Sequence, residues 1–154
     1  MRILGIDYGD RRVGLAIGDT EVPIATGLPT LWRQAARLSH MVQASRLHPR
    51  HADLTDTLRR ICREHGVDRI VVGVPANMDG SLGERARLSL ELAQSLRDEL
   101  GIEVETWDER LTTRQAERAM LEGDLTRKKR KERIDRLAAQ LMLQSYLDAQ
   151  RSRP

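Results

Sequence analysis

Apolar residues in the first part of the chain come in short β-rich runs. Ile3, Leu4 and Ile6 form one, which stops at Asp7 before a turn at Gly9; Val13-Gly-Leu-Ala-Ile17 forms the next. The spacing predicts strands over 2–7 and 13–17, paired antiparallel because the connection Tyr8–Arg12 is short. A third strand is predicted near Thr26–Trp32, after Pro23. Gln34–Arg50 shows little periodicity beyond Leu38–Met41 and reads as a loop or a weakly anchored helix. Leu54, Leu58, Ile61, Cys62 and His65 fall at helical spacing, and Gly66 supplies a stop. Arg69–Val74 is a β-branched run closed by Pro75; apolar on both faces, it suits a central strand covered on both sides. Leu88, Leu92, Leu96 and Leu100 recur every four residues and predict a helix ending at Gly101. Ile102–Trp107 is the fifth predicted strand. Thr112 and Gln115 make a capping box for a helix ending near Gly123, and a last helix is expected from about Glu132 to Gln150. The order predicts an α/β fold: a mixed five-stranded sheet, three antiparallel then parallel strands, with helices on both faces. We expect one domain over 1–154, with 34–50 as a loop insertion and 151–154 as a flexible tail.

Composition narrows the class. The 154 residues suffice for one ordinary core. No apolar run approaches the roughly 18 residues of a membrane-spanning helix, and no signal peptide precedes the first strand, so a cytoplasmic location is expected. The single cysteine, Cys62, suits a reducing compartment and reads as a small core residue. His40, His48, His51 and His65 are scattered, without zinc spacing. Net charge is +3 and the pI about 9.5, compatible with a nucleic-acid partner. Aromatics are few (Tyr8, Trp32, Trp107 and Tyr146), fewer than a single-strand binder working by extended base stacking would want.

Three acidic positions stand out. A carboxylate at the tip of a buried strand, as at Asp7, is costly unless a metal, a cation or a catalytic role compensates it; the alternative is an aspartate capping its own turn. In the last helix, Ala138, Ala139, Met142, Tyr146 and Ala149 share one face, and Arg133, Arg136, Gln140, Gln144 and Asp148 the other. Asp135 falls near the middle of the apolar face, although an Asp near a helix N-terminus can also serve the dipole. Asp108 and Glu109 follow the fifth strand, where ligands bind in open α/β sheets. Alternation sends them to opposite faces, so one can reach a site while the other pairs with Arg110; spacing does not say which. Carboxylates so placed suit Mg²⁺ or Mn²⁺ and the hydrolysis of phosphodiesters. Pro75-Ala-Asn-Met-Asp-Gly-Ser81, a turn-rich loop leading to a helix N-terminus, suits a phosphate or serves as a plain cap. The run Arg127-Lys-Lys-Arg-Lys131 with Arg133 suits phosphates too, or forms a solvated loop.

Four stretches in order then carry a resemblance: Gly5-Ile-Asp-Tyr-Gly with Arg12-Val-Gly-Leu-Ala; Val71-Val-Gly-Val-Pro-Ala-Asn-Met-Asp-Gly-Ser; Asp108-Glu-Arg-Leu-Thr-Thr; and Lys129-Arg-Lys-x-x-Ile-Asp with Ala138-Ala-x-Leu-Met-Leu-Gln-Ser-Tyr-Leu. Together they resemble the YqgF family, Holliday-junction-resolvase-like pre-16S rRNA nucleases with an RNase H-like fold. The resemblance implies a divalent-metal nuclease using Mg²⁺ or Mn²⁺, with Asp7, Glu109 and Asp135 as catalytic and metal-holding residues, and it favours Glu109 over Asp108. It implies structured RNA or branched DNA as partner, and processing of the 5′ end of precursor 16S rRNA. Arg12, Asn77, Ser81, Arg110, Arg127, Lys128, Lys129, Arg130 and Lys131 would contact nucleic acid. Gln34–Arg50 departs from the family as a longer link; Ala76 and Met142 are mild variants. A Holliday-junction-resolvase-type DNA endonuclease and a non-catalytic nucleic-acid-binding module are the other readings. Asp-Tyr-Gly-x-x-x-x-Gly also resembles the first phosphate loop of actin-like and sugar-kinase ATPases, which have two such domains, and 154 residues leave no room for a second.

Overall fold

Strand β1 (Arg2–Tyr8) lies in the middle of the sheet, and its neighbours set the topology. β2 (Arg12–Asp19) pairs antiparallel with β1, and β3 (Thr26–Trp32) antiparallel with β2. On the other side β4 (Arg69–Val74) pairs parallel with β1, and β5 (Glu103–Asp108) parallel with β4. The order is β3-β2-β1-β4-β5, the mixed sheet the sequence predicts. Between the strands run α1 (Ala52–His65) and α2 (Glu84–Leu100); a 3-10 turn follows β5 at Glu109–Leu111, and α3 (Arg127–Arg151) ends the fold. The structure is a computed structural model that describes residues 1–32, 52–77, 79–111 and 127–153, with backbone only at 52–53 and 127–136. The predicted loop at Gln34–Arg50 and the predicted helix at Thr112–Gly123 lie outside the described residues.

Strand alternation sorts the core into two layers. Leu4, Ile6 and Tyr8 of β1 pack with Val13, Leu15, Ile70, Val72 and Val104 against Leu58 and Cys62 of α1 and Leu92, Ala93 and Leu96 of α2. Burial pushes the Cys62 thiol up to about 11, so it behaves as the small apolar residue expected. Ile3, Ala16 and Val71 point the other way, against Ala139, Met142, Leu143, Tyr146 and Leu147 of α3. Asp7, two residues on from Gly5 and four from Ile3, shares the α3 side. α3 approaches closely because β1 and β2 carry glycines beneath it. A Cβ at Gly5 would stand 3.0 Å from the Leu143 Cβ, and one at Gly18 would stand 2.8 Å from the Leu147 Cδ1.

Two features of α3 correct the sequence reading. The helix begins at Arg127, not near Glu132, so the basic run forms its first turns rather than a loop. Lys and Arg are good helix formers, and nothing in 127–133 breaks a helix. Its buried face is also broader than predicted. Leu143 and Leu147 are fully buried, and Gln140 and Gln144, expected at the solvent, reach the chain entering β3. The Gln144 amide donates to the Pro23 carbonyl (2.9 Å) and its oxygen accepts from the Ala25 N–H (2.9 Å), while Gln140 donates to the Ala25 carbonyl (3.0 Å).

Candidate active site

The end of β1 and the turn after β5 meet over β4. Gly73 of β4 sits on the α3 side, and the Glu109 side chain folds across it: a Cβ at Gly73 would lie 2.6 Å from Glu109 Oε1. The glycine thus leaves the space the carboxylate occupies. Glu109 is held against Asp7. Burial, above all, and then its hydrogen bond to Asp7 and that residue's charge push the Glu109 carboxyl from 4.5 up to about 8, with Arg85 opposing. Its neutral form donates the shared hydrogen bond to the Asp7 carboxylate. Glu109 Oε1 is buried with no hydrogen-bond partner.

Asp108 turns away. Its carboxylate accepts from Arg110 Nη2 at 2.6 Å, from Nε at 3.0 Å and from the Arg110 N–H at 2.9 Å. These bonds hold the Asp108 carboxyl below its usual range. Glu109 and not Asp108 therefore faces Asp7. Arg110 is exposed and also donates to the Asn77 carbonyl at 3.4 Å. That contact ties the turn after β5 to the loop after β4. Within that loop Asn77 Nδ2 donates to Ser81 Oγ (3.0 Å), which donates to Asp79 Oδ1 (2.6 Å), and Gly80 takes the left-handed conformation at φ +86°. The Asn77 and Ser81 side chains thus stabilise the loop in which they sit.

An open cleft of about 310 Å³ lies beside Asp7, lined also by Gly9, Asp10, Arg11, Arg12, Gly14 and Arg85. Arg85, in the first turn of α2, pairs with Asp10 at 3.7 Å. Arg12 lies over the Trp32 ring, 4.5 Å from its centre. Arg11, Arg85 and Gly73 were not singled out by the sequence reading. A glycine inside a β-branched strand was a signal for Gly73; nothing local distinguishes the two arginines from other surface charges. Asp135 lies in α3, four and seven positions before the buried Ala139 and Met142, and its side chain is outside the described residues. So are those of Arg127, Lys128, Lys129, Arg130 and Lys131.

Among the described residues no cluster of three or more His, Cys, Asp or Glu could hold a metal. The two carboxylates that are described fit a hard divalent cation in chemistry. They are oxygen donors in mutual contact, and one oxygen is buried without a donor.

The profile of one protein family, RuvX: Holliday junction resolvase, matches residues 1–149. A protein of Clostridium botulinum (strain Hall) named "Putative pre-16S rRNA nuclease" is 43% identical over 149 residues, covering 97% of this chain and 98% of its own. One of Clostridium novyi with the same name is 40% identical, covering 97% and 99%. Among solved structures, Thermus thermophilus RuvC in complex with a Holliday junction substrate superposes with a TM-score of 0.53 at 16% identity, covering 99% of this chain and 96% of that one. That likeness concerns the fold, which is RNase H-like.

Proposed function

The chain belongs to the RuvX family of Holliday junction resolvases, and from that premise we propose a divalent-metal-dependent nuclease that hydrolyses phosphodiester bonds in precursor 16S rRNA, at its 5′ end. The observation that carries the reading is the Asp7–Glu109 contact at the edge of an arginine-lined cleft. Two carboxyl groups forced together need a proton or a cation between them, and a divalent cation can take the place of the proton that Glu109 holds. The relatives' shared name supports RNA as substrate.

In this mechanism Asp7 and Glu109, with Asp135 from α3, would hold Mg²⁺ or Mn²⁺. The cation when bound supplies a water of lowered pKa and charge neutralisation at the scissile phosphate. Glu109 would serve as a ligand only in its deprotonated form, since only the carboxylate binds a cation. Arg11, Arg12 and Arg85 hold the flanking phosphates in the cleft, and Asp10 keeps Arg85 directed towards it. Asp108 fixes Arg110, and through Arg110 the turn that presents Glu109.

Cleavage of branched DNA is the second reading, favoured by the family's description. The test incubates the purified protein with precursor 16S rRNA fragments and four-way DNA junctions, each with Mg²⁺, Mn²⁺ or EDTA. Cation-dependent cutting of the RNA supports the proposal, and cutting of the junction alone supports the second reading. No cutting of either with both cations present leaves a non-catalytic binding module.

A further inference from the structure

The chain has two tryptophans, two tyrosines and no phenylalanine, and the structure describes all four rings. Tyr8 and Tyr146 are buried, and Trp107 packs edge-on against Tyr146 with ring centres 5.5 Å apart. Trp32 is different. It ends the edge strand β3 and is 56% exposed. Burial does not account for an indole placed there.

Its position relative to the cleft is fixed by register. Asp7 pairs with Gly14 across β1 and β2, and Arg12 pairs with Trp32 across β2 and β3. Val13 and Leu31, the neighbours of Arg12 and Trp32, pack into the α1–α2 core, so Arg12 and Trp32 lie on the Asp7 side. Arg12 both lines the cleft and stacks on the indole. Two strand spacings across and two residues along place Trp32 roughly 12 Å from Asp7, Cα to Cα, within the reach of adjoining nucleotides.

We propose that the Trp32–Arg12 pair is a stacking platform for one unpaired base next to the scissile phosphate, so that the cleft takes an unpaired segment of nucleic acid rather than a continuous duplex. The inference rests on the nuclease reading and names its substrate class. Arg12 covers one side of the indole by cation–π attraction and can meet the neighbouring phosphate. Every base offers a π-face, so such a contact selects for strandedness and not for sequence. One exposed ring serves one base, which fits a chain too poor in aromatics for an extended single-strand path. A paired base is already stacked in its helix and would have to unstack to reach the indole.

The test measures binding without divalent cation, so that cleavage plays no part. Fluorescence anisotropy compares wild type, Trp32→Ala and Trp32→Tyr on a short single-stranded RNA, on the same RNA as a blunt duplex, and on single strands with one abasic position moved stepwise along the chain. The expected result is a loss of about ten-fold for Trp32→Ala on the single strand, a loss below about two-fold on the duplex, and recovery in Trp32→Tyr, which keeps a ring. One abasic position should weaken wild type as much as the Trp32→Ala change does and should cost that variant nothing more. Equal losses on single strand and duplex, or no loss on either, overturn the platform while the nuclease reading stands. Failure of wild type to bind any of these RNAs overturns both for RNA, and cleavage assays on DNA junctions then bear on the nuclease reading separately.

Discussion

Glu109 is where single-residue predictions are sharpest. Its carboxyl is raised from 4.5 to about 8, so between those values the folded, cation-free protein holds a proton that the unfolded chain has lost. The stability this proton contributes is complete below about 4.5 and gone once the pH has risen through about 8. Cation-free wild type should therefore melt lower at about pH 9 than at about pH 5 by this contribution, and Glu109→Gln should flatten that slope, as melting curves at the two pH values will show. Added cation must displace the same proton. Its affinity should rise with pH up to about 8, with uptake of cation releasing about one proton, measurable by calorimetry in buffers of different ionisation heat. Glu109→Gln should also abolish cleavage, as should Asp7→Asn and Asp135→Asn, whereas Asp108→Asn should cost far less because Asp108 is engaged with Arg110. Full activity in Asp7→Asn would end the assignment. Gly73 adds a test that changes no charge. Gly73→Ala puts a methyl 2.6 Å from Glu109 Oε1; the flexible carboxylate should swing aside, leaving the fold stable and the cation affinity reduced. Unchanged cation binding in Gly73→Ala would show that Glu109 does not act from over β4. In sequence, alternation separated Asp108 from Glu109 but could not say which entered the site, because that depends on the turn after β5 and on Arg110.

Among the elements, α3 combines two demands. Its first turn carries no acidic residue and a run of cations where the helix dipole favours anions. Lys128, Lys129 and Lys131 changed to Gln should accordingly leave the melting temperature unchanged or slightly raised. The same variant should bind RNA of unrelated sequences more weakly, with the log–log salt slope shallower by about one unit per lost contact. Salt plots coinciding with wild type would reduce the run to a solvated helix end. Further along, Gln144 bonds the chain on both sides of Ile24, and Gln144→Ala should cost about 1–2 kcal/mol in urea unfolding by leaving an N–H and a carbonyl unpaired. The same helix shows why some elements are legible and others are not. β1 and β4 lie where the hydrophobic pattern puts them, because they are apolar runs bounded by turn residues and most of their side chains are buried. The start of α3 is illegible because a charge run reads as solvated whether coiled or helical. Gln140 and Gln144 are misread because a polar side chain that satisfies another segment's backbone looks, in sequence, like one that satisfies water. The Arg85–Asp10 pair spans α2 and the turn after β1, a contact that no local periodicity encodes.

The whole molecule holds its site by packing one helix on the strand that carries Asp7. Asp7 continues β1 two residues beyond Gly5, and Asp135 precedes Leu143, which seats on Gly5, by eight residues of the same helix. The separation between the two acidic residues is thus set by how closely α3 approaches the sheet, and the glycines set that approach. Gly5→Ala brings a methyl to 3.0 Å from the Leu143 Cβ, an atom rigidly attached to the helix backbone. Relief must come from moving α3 or β1, in contrast to Gly73→Ala, where a side-chain tip can rotate away. Overpacking of this kind costs about 1–3 kcal/mol. It should do so without altering the Asp108–Arg110 or Asn77–Ser81 contacts, which lie on other elements. The expected outcome is a folded protein with a lower urea midpoint, a cation affinity reduced beyond what that loss of stability explains, and weaker cleavage that high cation concentration partly restores. Leu143→Gly in the Gly5→Ala background removes the opposing Cβ and should recover part of the cation affinity even though a glycine within the helix and the lost packing lower stability further. If Gly5→Ala lost stability while binding cation and cutting RNA as wild type does, the distance between β1 and α3 would not govern the site, and Asp135 would have to be withdrawn from it.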